Sequence, residues 1–143
     1  MAIARSTIRT NVWDTIYNLL QTGTYAISTN NIFSAWNSTL ATDKGYPLVI
    51  LHPPSTSLTK VTANNAITSS EIIMQIEVFH TSAESIKTLV DEITNKLYTG
   101  RFVLQASRLM NMEISGGDYD AWEEGKKKIH VCSLDVTWRY VAA

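Results

Sequence analysis

The middle of this chain, from Ser69 to Gly100, joins a strand pattern almost directly to a helix pattern. Apolar and polar residues alternate through its first part. The apolar set is Ile72, Met74, Ile76 and Val78, and the polar set is Glu71, Gln75 and Glu77. Alternation of this kind predicts a strand with one core face and one polar face that needs water, a channel or a partner.

The second part of the segment repeats its apolar residues at spacings of three and four. These residues are Ile86, Leu89, Val90, Ile93 and Leu97. The spacing predicts an amphipathic helix, with Thr81 and Glu84 as a capping box at its start and Gly100 at its end. Because the apolar faces of strand and helix must both be buried, we expect the helix to lie on the sheet.

A second helix is predicted near the N-terminus, from about Thr7 to Gln21, between a possible Ser6 cap and Gly23. Its apolar stripe comprises Ile8, Val12, Ile16 and Leu19. A further apolar flank comprises Trp13, Tyr17 and Leu20. Two interpretations of this flank stay open, a second contact with the core or a contact with another subunit.

Strand patterns account for most of the remaining chain. Tyr46–Leu51 is a continuous apolar run that predicts a central strand ended by Pro53 and Pro54. Leu109–Ser115 and about Ile129–Val141 predict two more strands, separated by a polar turn with the sequence GGDYDAWEEGKKK. The core face of the last strand is expected to comprise His130, Cys132, Leu134, Val136, Trp138 and Tyr140. Residues 25–43 predict only a short strand or helical turn packed by Trp36.

These patterns together predict an α+β fold in a single domain spanning residues 1–143. We expect a mixed, mostly antiparallel β-sheet with two main helices packed on one face, plus a protruding β-hairpin. The hairpin corresponds to residues 55–70, a nearly uncharged segment with Asn64–Asn65 as its turn. The alternative interpretation of this segment is a solvated loop, since long polar loops are either functional or disordered.

Composition excludes several functions. The 143 residues carry a net charge of −1, and Lys126, Lys127 and Lys128 form the only basic block, so a grip on nucleic-acid phosphates is not expected. The single cysteine, Cys132, excludes an internal disulfide. The first ten residues lack the apolar run of a signal peptide, and no segment is long and apolar enough to span a membrane. We therefore expect a soluble protein without a membrane partner.

No catalytic constellation is apparent. His52, His80 and His130 match no compact metal motif, and nucleophile or phosphate-loop motifs are absent from the sequence. The acidic residues of the predicted polar turn are Asp118, Asp120, Glu123 and Glu124. We interpret them as solvated turn residues, with a divalent ion held by Asp118, Asp120 and Glu123 as the alternative. We predict no enzyme activity, no metal and no cofactor.

Three pieces of the sequence together resemble the tail terminator (tail completion) proteins of long-tailed phages. They are YPLVILHPP ahead of the polar hairpin, the unit IIMQIEVFHTSAESIKTLVDEITNKL, and the turn GGDYDAWEEGKKK leading into SLDVTWRYV. The likeness covers about Tyr46 to Val141, with the N-terminal helix in the expected place. The long segment 25–43 and the three lysines before the last strand depart from the family pattern.

The resemblance implies a homo-hexameric ring that caps the head-proximal end of the tail tube, ends tube polymerisation and presents the head–tail joining surface. Expected partners are other copies of the chain, the tail tube protein and a head–tail connector or neck protein. The resemblance further implies that DNA passes through the lumen without sequence-specific binding. The protein is expected to be assembled in the host cytoplasm and to reside in the virion.

The resemblance also selects candidate residues. The hairpin is interpreted as an arm that contacts a neighbouring subunit or the tube, through Pro53, Pro54, Leu58, Lys60, Val61, Asn64 and Asn65. The candidates for lining the lumen are Glu71, Gln75, Glu77, Asp118 and Asp120. Two other functions remain open: another connector, neck or tail tube protein of the same machine, and a cellular α/β module that binds a ligand or partner in an apolar pocket.

Overall fold

A computed structural model of the chain describes residues 5–21, 32–35, 45–61 and 67–141. Three helices are present in these ranges: α1 (Arg5–Gln21), α2 (Ala83–Thr99) and α3 (Arg101–Ala106). The six strands are β1 (Ile32–Phe33), β2 (Leu48–Leu51), β3 (Ser55–Val61), β4 (Ile67–His80), β5 (Leu109–Glu124) and β6 (Lys127–Val141).

Strand β4 is the centre of a single mixed sheet. On one side it pairs antiparallel with β3 along its first half and with β2 along its second half. On the other side it pairs antiparallel with β6, which pairs antiparallel with β5. The only parallel pair in the described sheet is β1 with β2. The predicted α+β fold with a mostly antiparallel sheet is confirmed.

The core lies between one face of the sheet and the helices. The predicted apolar faces of β4 and α2 are all buried in it, and so are the predicted core residues of β6 apart from the half-buried His130. Helix α1 adds Val12, Ile16, Leu19 and Leu20 to the same cluster. Burial of these side chains against each other is the main favourable term holding the helices on the sheet.

The flank of α1 also contacts the core. The indole Nε1 of Trp13 donates a hydrogen bond of 2.7 Å to the carbonyl of Leu51 in β2, and the rings of Trp13 and Tyr17 stack at 5.0 Å. These contacts favour the interpretation as a second core contact. Ser6 lies within α1 and is not its cap. Gly23 and Trp36 lie outside the described residues.

The ends of α2 differ from the sequence prediction. Ser82, not Thr81, is the N-cap, and its hydroxyl accepts a 3.2 Å hydrogen bond from the amide of Ser85. Gly100 ends α2 with a φ of −85°, so it does not adopt the left-handed conformation usual for a terminating glycine. A Cβ at Gly100 would lie 2.6 Å from Leu19 Cδ1. It would also lie 2.9 Å from the backbone carbonyl oxygen of Lys96, so close packing, rather than backbone handedness, favours glycine here.

The prediction of a polar turn over residues 116–128 is wrong. Strand β5 continues to Glu124, β6 begins at Lys127, and the turn is confined to Gly125 and Lys126. The register shifts twice along β5, between Met110 and Glu113 and between Gly116 and Asp118. Bulges of this kind insert an extra residue without ending a strand, and the positive φ is adopted by Asn111 in the first bulge and by Gly116 and Gly117 in the second. Asp118 and Asp120 are consequently strand residues.

Residues 55–61 and 67–70 form a hairpin, so the solvated-loop interpretation is wrong for them. Strand β3 pairs with β4 from Ser55 opposite Ile73 to Val61 opposite Ile67. The predicted turn residues Asn64 and Asn65 lie outside the described residues. Pro53 and Pro54 separate β2 from β3 as predicted, because proline cannot donate to a strand ladder.

Candidate functional site

The face of the sheet opposite the helices, here called the outer face, carries the candidate site. It is formed by alternate residues of the three longest strands, since successive side chains of a strand point to opposite sides. From β4 it takes Glu71, Ile73, Gln75 and Glu77; from β6, Ser133, Asp135, Thr137 and Arg139; and from β5, Glu113, Ser115, Asp118 and Asp120.

Strand register brings distant residues of this face into rows. Glu77 lies opposite Ser133, which lies opposite Asp118. The next row contains Gln75, Asp135 and Ser115. Glu71 lies opposite Arg139, one of the closely spaced cross-strand positions at which opposite charges attract. All five residues predicted to line a lumen therefore share one face.

The outer face is strongly acidic although the whole chain has a net charge of only −1. Within the described strands β4, β5 and β6, alternation places two basic residues on this face, Arg139 and, at the end of the β5–β6 hairpin, Lys127. Its carboxylates are those of Glu71, Glu77, Glu113, Asp118, Asp120 and Asp135. Four of these six are exposed and the other two are half-buried. The face therefore presents negative charge to whatever it meets and repels phosphate groups.

Two of these carboxylates were missed as candidates. Asp135 belongs to the polar side of the last strand, so its alternation with Leu134 and Val136 already indicated that it lies on the face opposite the core. Glu113 follows the first β5 bulge, where the register shift breaks the period of two. Its position opposite Thr137 becomes apparent only from the strand pairing.

His52 also contacts the outer face. Its Nε2 lies within hydrogen-bonding distance of Glu77 Oε1, and the two side chains are both half-buried. The amide of His52 donates a 3.0 Å hydrogen bond to the carbonyl of Gln75, which extends the β2–β4 pairing by one residue. His52 thus fixes the orientation of the Glu77 carboxylate beside the acidic rows.

One end of the outer face is apolar. Leu48, Ile50, Phe79 and Ile129 are buried there, and Phe33, Tyr46 and Val131 pack around them. The ring of Trp122 meets that of Phe79 edge-on at 5.7 Å. Phe79 is an exception to the polar alternation of β4 because it belongs to this second cluster.

At the opposite end, a cleft of about 310 Å³ opens beside the first β5 bulge. Its lining is Ser70, Glu71, Asn111, Glu113, Thr137, Trp138 and Arg139. Most of these residues are polar or charged. The cleft therefore differs from the apolar pocket expected of a small-ligand binding module.

The predicted arm residues are only partly described. Pro53 is exposed and Pro54 is buried between β2 and β3. Leu58, Lys60 and Val61 are positions of β3, at the side of the sheet opposite β5. Asn64 and Asn65 lie outside the described residues. The structure does not bring the described arm residues together with the acidic rows.

The titratable groups on the helix side of the sheet form a different set. His80 lies opposite His130, and its Nδ1 accepts a 3.3 Å hydrogen bond from the amide of Ser82. Burial, and then the neighbouring His130, lower the pKa of His80. Burial raises the pKa of the Cys132 thiol, whose side chain is fully enclosed in the core.

The alternative of a divalent ion held by Asp118, Asp120 and Glu123 conflicts with the strand geometry. Alternation along β5 places Glu123 on the face opposite to that of the two aspartates. Among the described residues, no group of three or more His, Cys, Asp or Glu side chains is arranged to hold a metal ion.

No protein-family model and no curated protein matches the chain. Across the described ranges, none of the helices combines the length and apolarity needed to cross a membrane.

Proposed function

We propose that this chain is a structural subunit of a homo-hexameric ring resembling the tail terminators of long-tailed phages. The ring caps the head-proximal end of the tail tube, ends tube polymerisation and provides the surface on which the head joins. Its partners are the tail tube protein and a connector or neck protein. The ring is assembled in the host cytoplasm and remains in the virion.

The observation that carries the proposal is the acidic outer face. A channel through which DNA slides must not bind phosphates, because each phosphate held by a lysine or arginine adds to affinity. An open sheet face with six carboxylates against two basic residues, Arg139 and Lys127, provides such a wall. The charge asymmetry between this face and a nearly neutral chain is otherwise unexplained.

The position of the helices supports the same proposal. Helices α1 and α2 cover one face of the sheet only, which leaves most of the outer face free of helices among the described elements. An antiparallel sheet tolerates one solvated face. In the proposed ring, the helices lie on the outside and the face of the sheet opposite them, the outer face, points toward the ring axis. Every copy then contributes the same acidic surface to the channel.

Light scattering coupled to size-exclusion chromatography, followed by negative-stain imaging, tests this proposal. The expected result is a six-fold ring of about 96 kDa, six copies of the 16.0 kDa chain. A stable monomer or dimer at micromolar concentration, with no ring in the images, would contradict it.

The same images distinguish two alternative functions from the proposed one. A tail tube protein is expected to polymerise into long tubes, whereas a terminator is expected to stop at a single ring. A cellular module that binds a ligand or partner predicts a monomer or dimer with an apolar pocket, and the polar cleft at Glu71 and Arg139 is not a pocket of that kind. Long tubes support the first alternative, and a monomer with a saturable ligand supports the second.

A further inference from the structure

Strand β5 forms one edge of the sheet. It pairs with β6 on one side, and none of the described strands pairs with its other side. The amide of Ala121 donates a 2.8 Å hydrogen bond to Oδ1 of the adjacent Asp120. An amide bonded to its neighbour's side chain is not used in the β6 ladder. Since antiparallel ladders alternate, the amides of Tyr119 and Glu123 also point to the open side.

Strand β3 forms part of the opposite edge and pairs within the described sheet only with β4. Because β3 and β6 both run antiparallel to β4, and β5 runs antiparallel to β6, β3 and β5 have opposite directions. When two copies lie side by side in the same orientation, β5 of one meets β3 of the next as an antiparallel pair. This arrangement gives an ordinary antiparallel ladder.

Charge favours this pairing over one between two β5 strands. Strand β5 contains no basic residue and five acidic ones, namely Glu113, Asp118, Asp120, Glu123 and Glu124. Two such strands side by side would oppose like charges, which destabilises a strand pair. Strand β3 contains no acidic residue, and its single charged residue is Lys60.

We propose that the edge of β5 in one copy binds the edge of β3 in the next copy as an added antiparallel strand. This inference rests on the proposed ring and assigns its subunit interface. The asymmetric, head-to-tail contact leaves the same two edges free after every addition, as ring closure requires. The Asp120 carboxylate covers the Ala121 amide before assembly and must release it when the strands pair.

The proposed pairing also makes the acidic face continuous around the ring. When copies are joined edge to edge, the outer faces of successive copies become one surface. At ordinary strand spacing, six sheets each four strands wide give a circumference of about 115 Å and an opening of about 37 Å between backbones. A DNA duplex fits through an opening of this size.

Disulfide cross-linking of the full chain tests the interface. Asp120→Cys is placed on β5 in one preparation, and Ser57→Cys, Leu58→Cys or Thr59→Cys on β3 in others. The preparations are mixed, allowed to assemble and oxidised. The native Cys132 is fully buried, so the unmodified protein serves as the background, and Lys87→Cys on exposed α2 is the matched control.

The expected result is covalent dimers in mixtures of β5 and β3 variants, but not in the β5 variant alone or in mixtures with Lys87→Cys. Neighbouring β3 positions should differ in yield, because alternate residues face opposite sides of a strand. Rings without any β5–β3 cross-link would overturn this interface while leaving the ring proposal intact. Cross-links of the β5 variant with itself would show that two β5 edges pair, and the absence of rings and cross-links would reject both proposals.

Discussion

At the residue scale, Trp13 links α1 to the sheet through its hydrogen bond to Leu51. Trp13→Phe removes the donor and leaves the Leu51 carbonyl without this partner. We expect a loss of about 1–3 kcal/mol in the free energy of unfolding, measured by urea denaturation. Tyr17→Phe, which keeps the ring stacked against Trp13, is the matched control and should cost less. Equal losses in the two variants would show that the hydrogen bond is unimportant.

His80 predicts a pH dependence of stability. Burial and the neighbouring His130 lower the pKa of His80 below its ordinary value of 6.5. Between the two pKa values the unfolded chain binds more protons, so stability is fully present above pH 6.5 and falls as the pH drops below it. The urea midpoint should decrease from pH 7.5 to pH 5.5, and less so in His80→Asn. An identical decrease in that variant would rule out His80 as the source.

Single-residue predictions succeeded where one local rule decided the outcome. The core residues of β4 follow from alternation alone, because a half-buried strand forces a period of two. The prediction of the α2 N-cap was wrong because two neighbouring hydroxyl residues, Thr81 and Ser82, both suit this position. Only the backbone path selects Ser82. The role of Gly100 depends on close contacts with the Lys96 carbonyl and the distant Leu19, and no local pattern reveals the second of these.

At the element scale, the edge of β5 is the most consequential feature. Asp120→Ala and Asp120→Asn remove the same charge, but only alanine lacks an oxygen to cover the Ala121 amide. If this amide pairs with another copy, Asp120→Ala should assemble at lower concentration, by about two- to tenfold for one hydrogen bond. Mass photometry over a dilution series measures the midpoint. Equal midpoints in both variants would mean that the amide does not take part in assembly.

The β3–β4 hairpin gives a second prediction. Removing residues Asn64 to Ile67 shortens the hairpin while sparing the core residues of β4 from Ile72 onward. We expect a folded subunit, with an unchanged circular dichroism spectrum, that no longer forms rings. Rings of normal mass and thermal stability from this deletion would refute a role of the hairpin in assembly.

Elements were predictable where periodicity was unbroken. The long pattern of β4 and the stripe of α2 gave correct elements because each buries one continuous face. The second β5 bulge hid the second half of that strand, since Gly116 and Gly117 have the sequence signature of a turn. Helix α3 was missed because six residues are too few for a helical period to appear.

For DNA binding by the whole molecule, the distribution of charged residues matters more than the net charge of the chain. Glu77→Lys with Asp118→Lys reverses charge on the outer face, and Glu84→Lys with Asp91→Lys makes the same change on the exposed side of α2. If the outer face lines the channel, the first ring should bind linear duplex DNA on the order of tenfold more tightly at low salt, and the second less. Gel shifts measure both affinities, and equal affinities would contradict a lumen-facing sheet.

The candidate site was predictable only in part. Glu71, Gln75 and Glu77 followed from one strand's alternation, because a polar side opposite a core side needs a wet surface. Glu77, Ser133 and Asp118 lie in one row only because of the pairing register of three strands. Pairing register is set by tertiary contacts and bulges, so the acidic face as a whole was not visible in the sequence.

We propose that six copies form a ring whose channel is lined by the acidic outer face. A cryo-EM reconstruction of the purified assembly shows directly which residues line the channel. The expected result is six-fold symmetry, with Glu71, Glu77 and Asp118 on the channel wall and the helices outside. A ring in which these carboxylates lie more than a side-chain length from the channel would contradict it, and so would the absence of any ring.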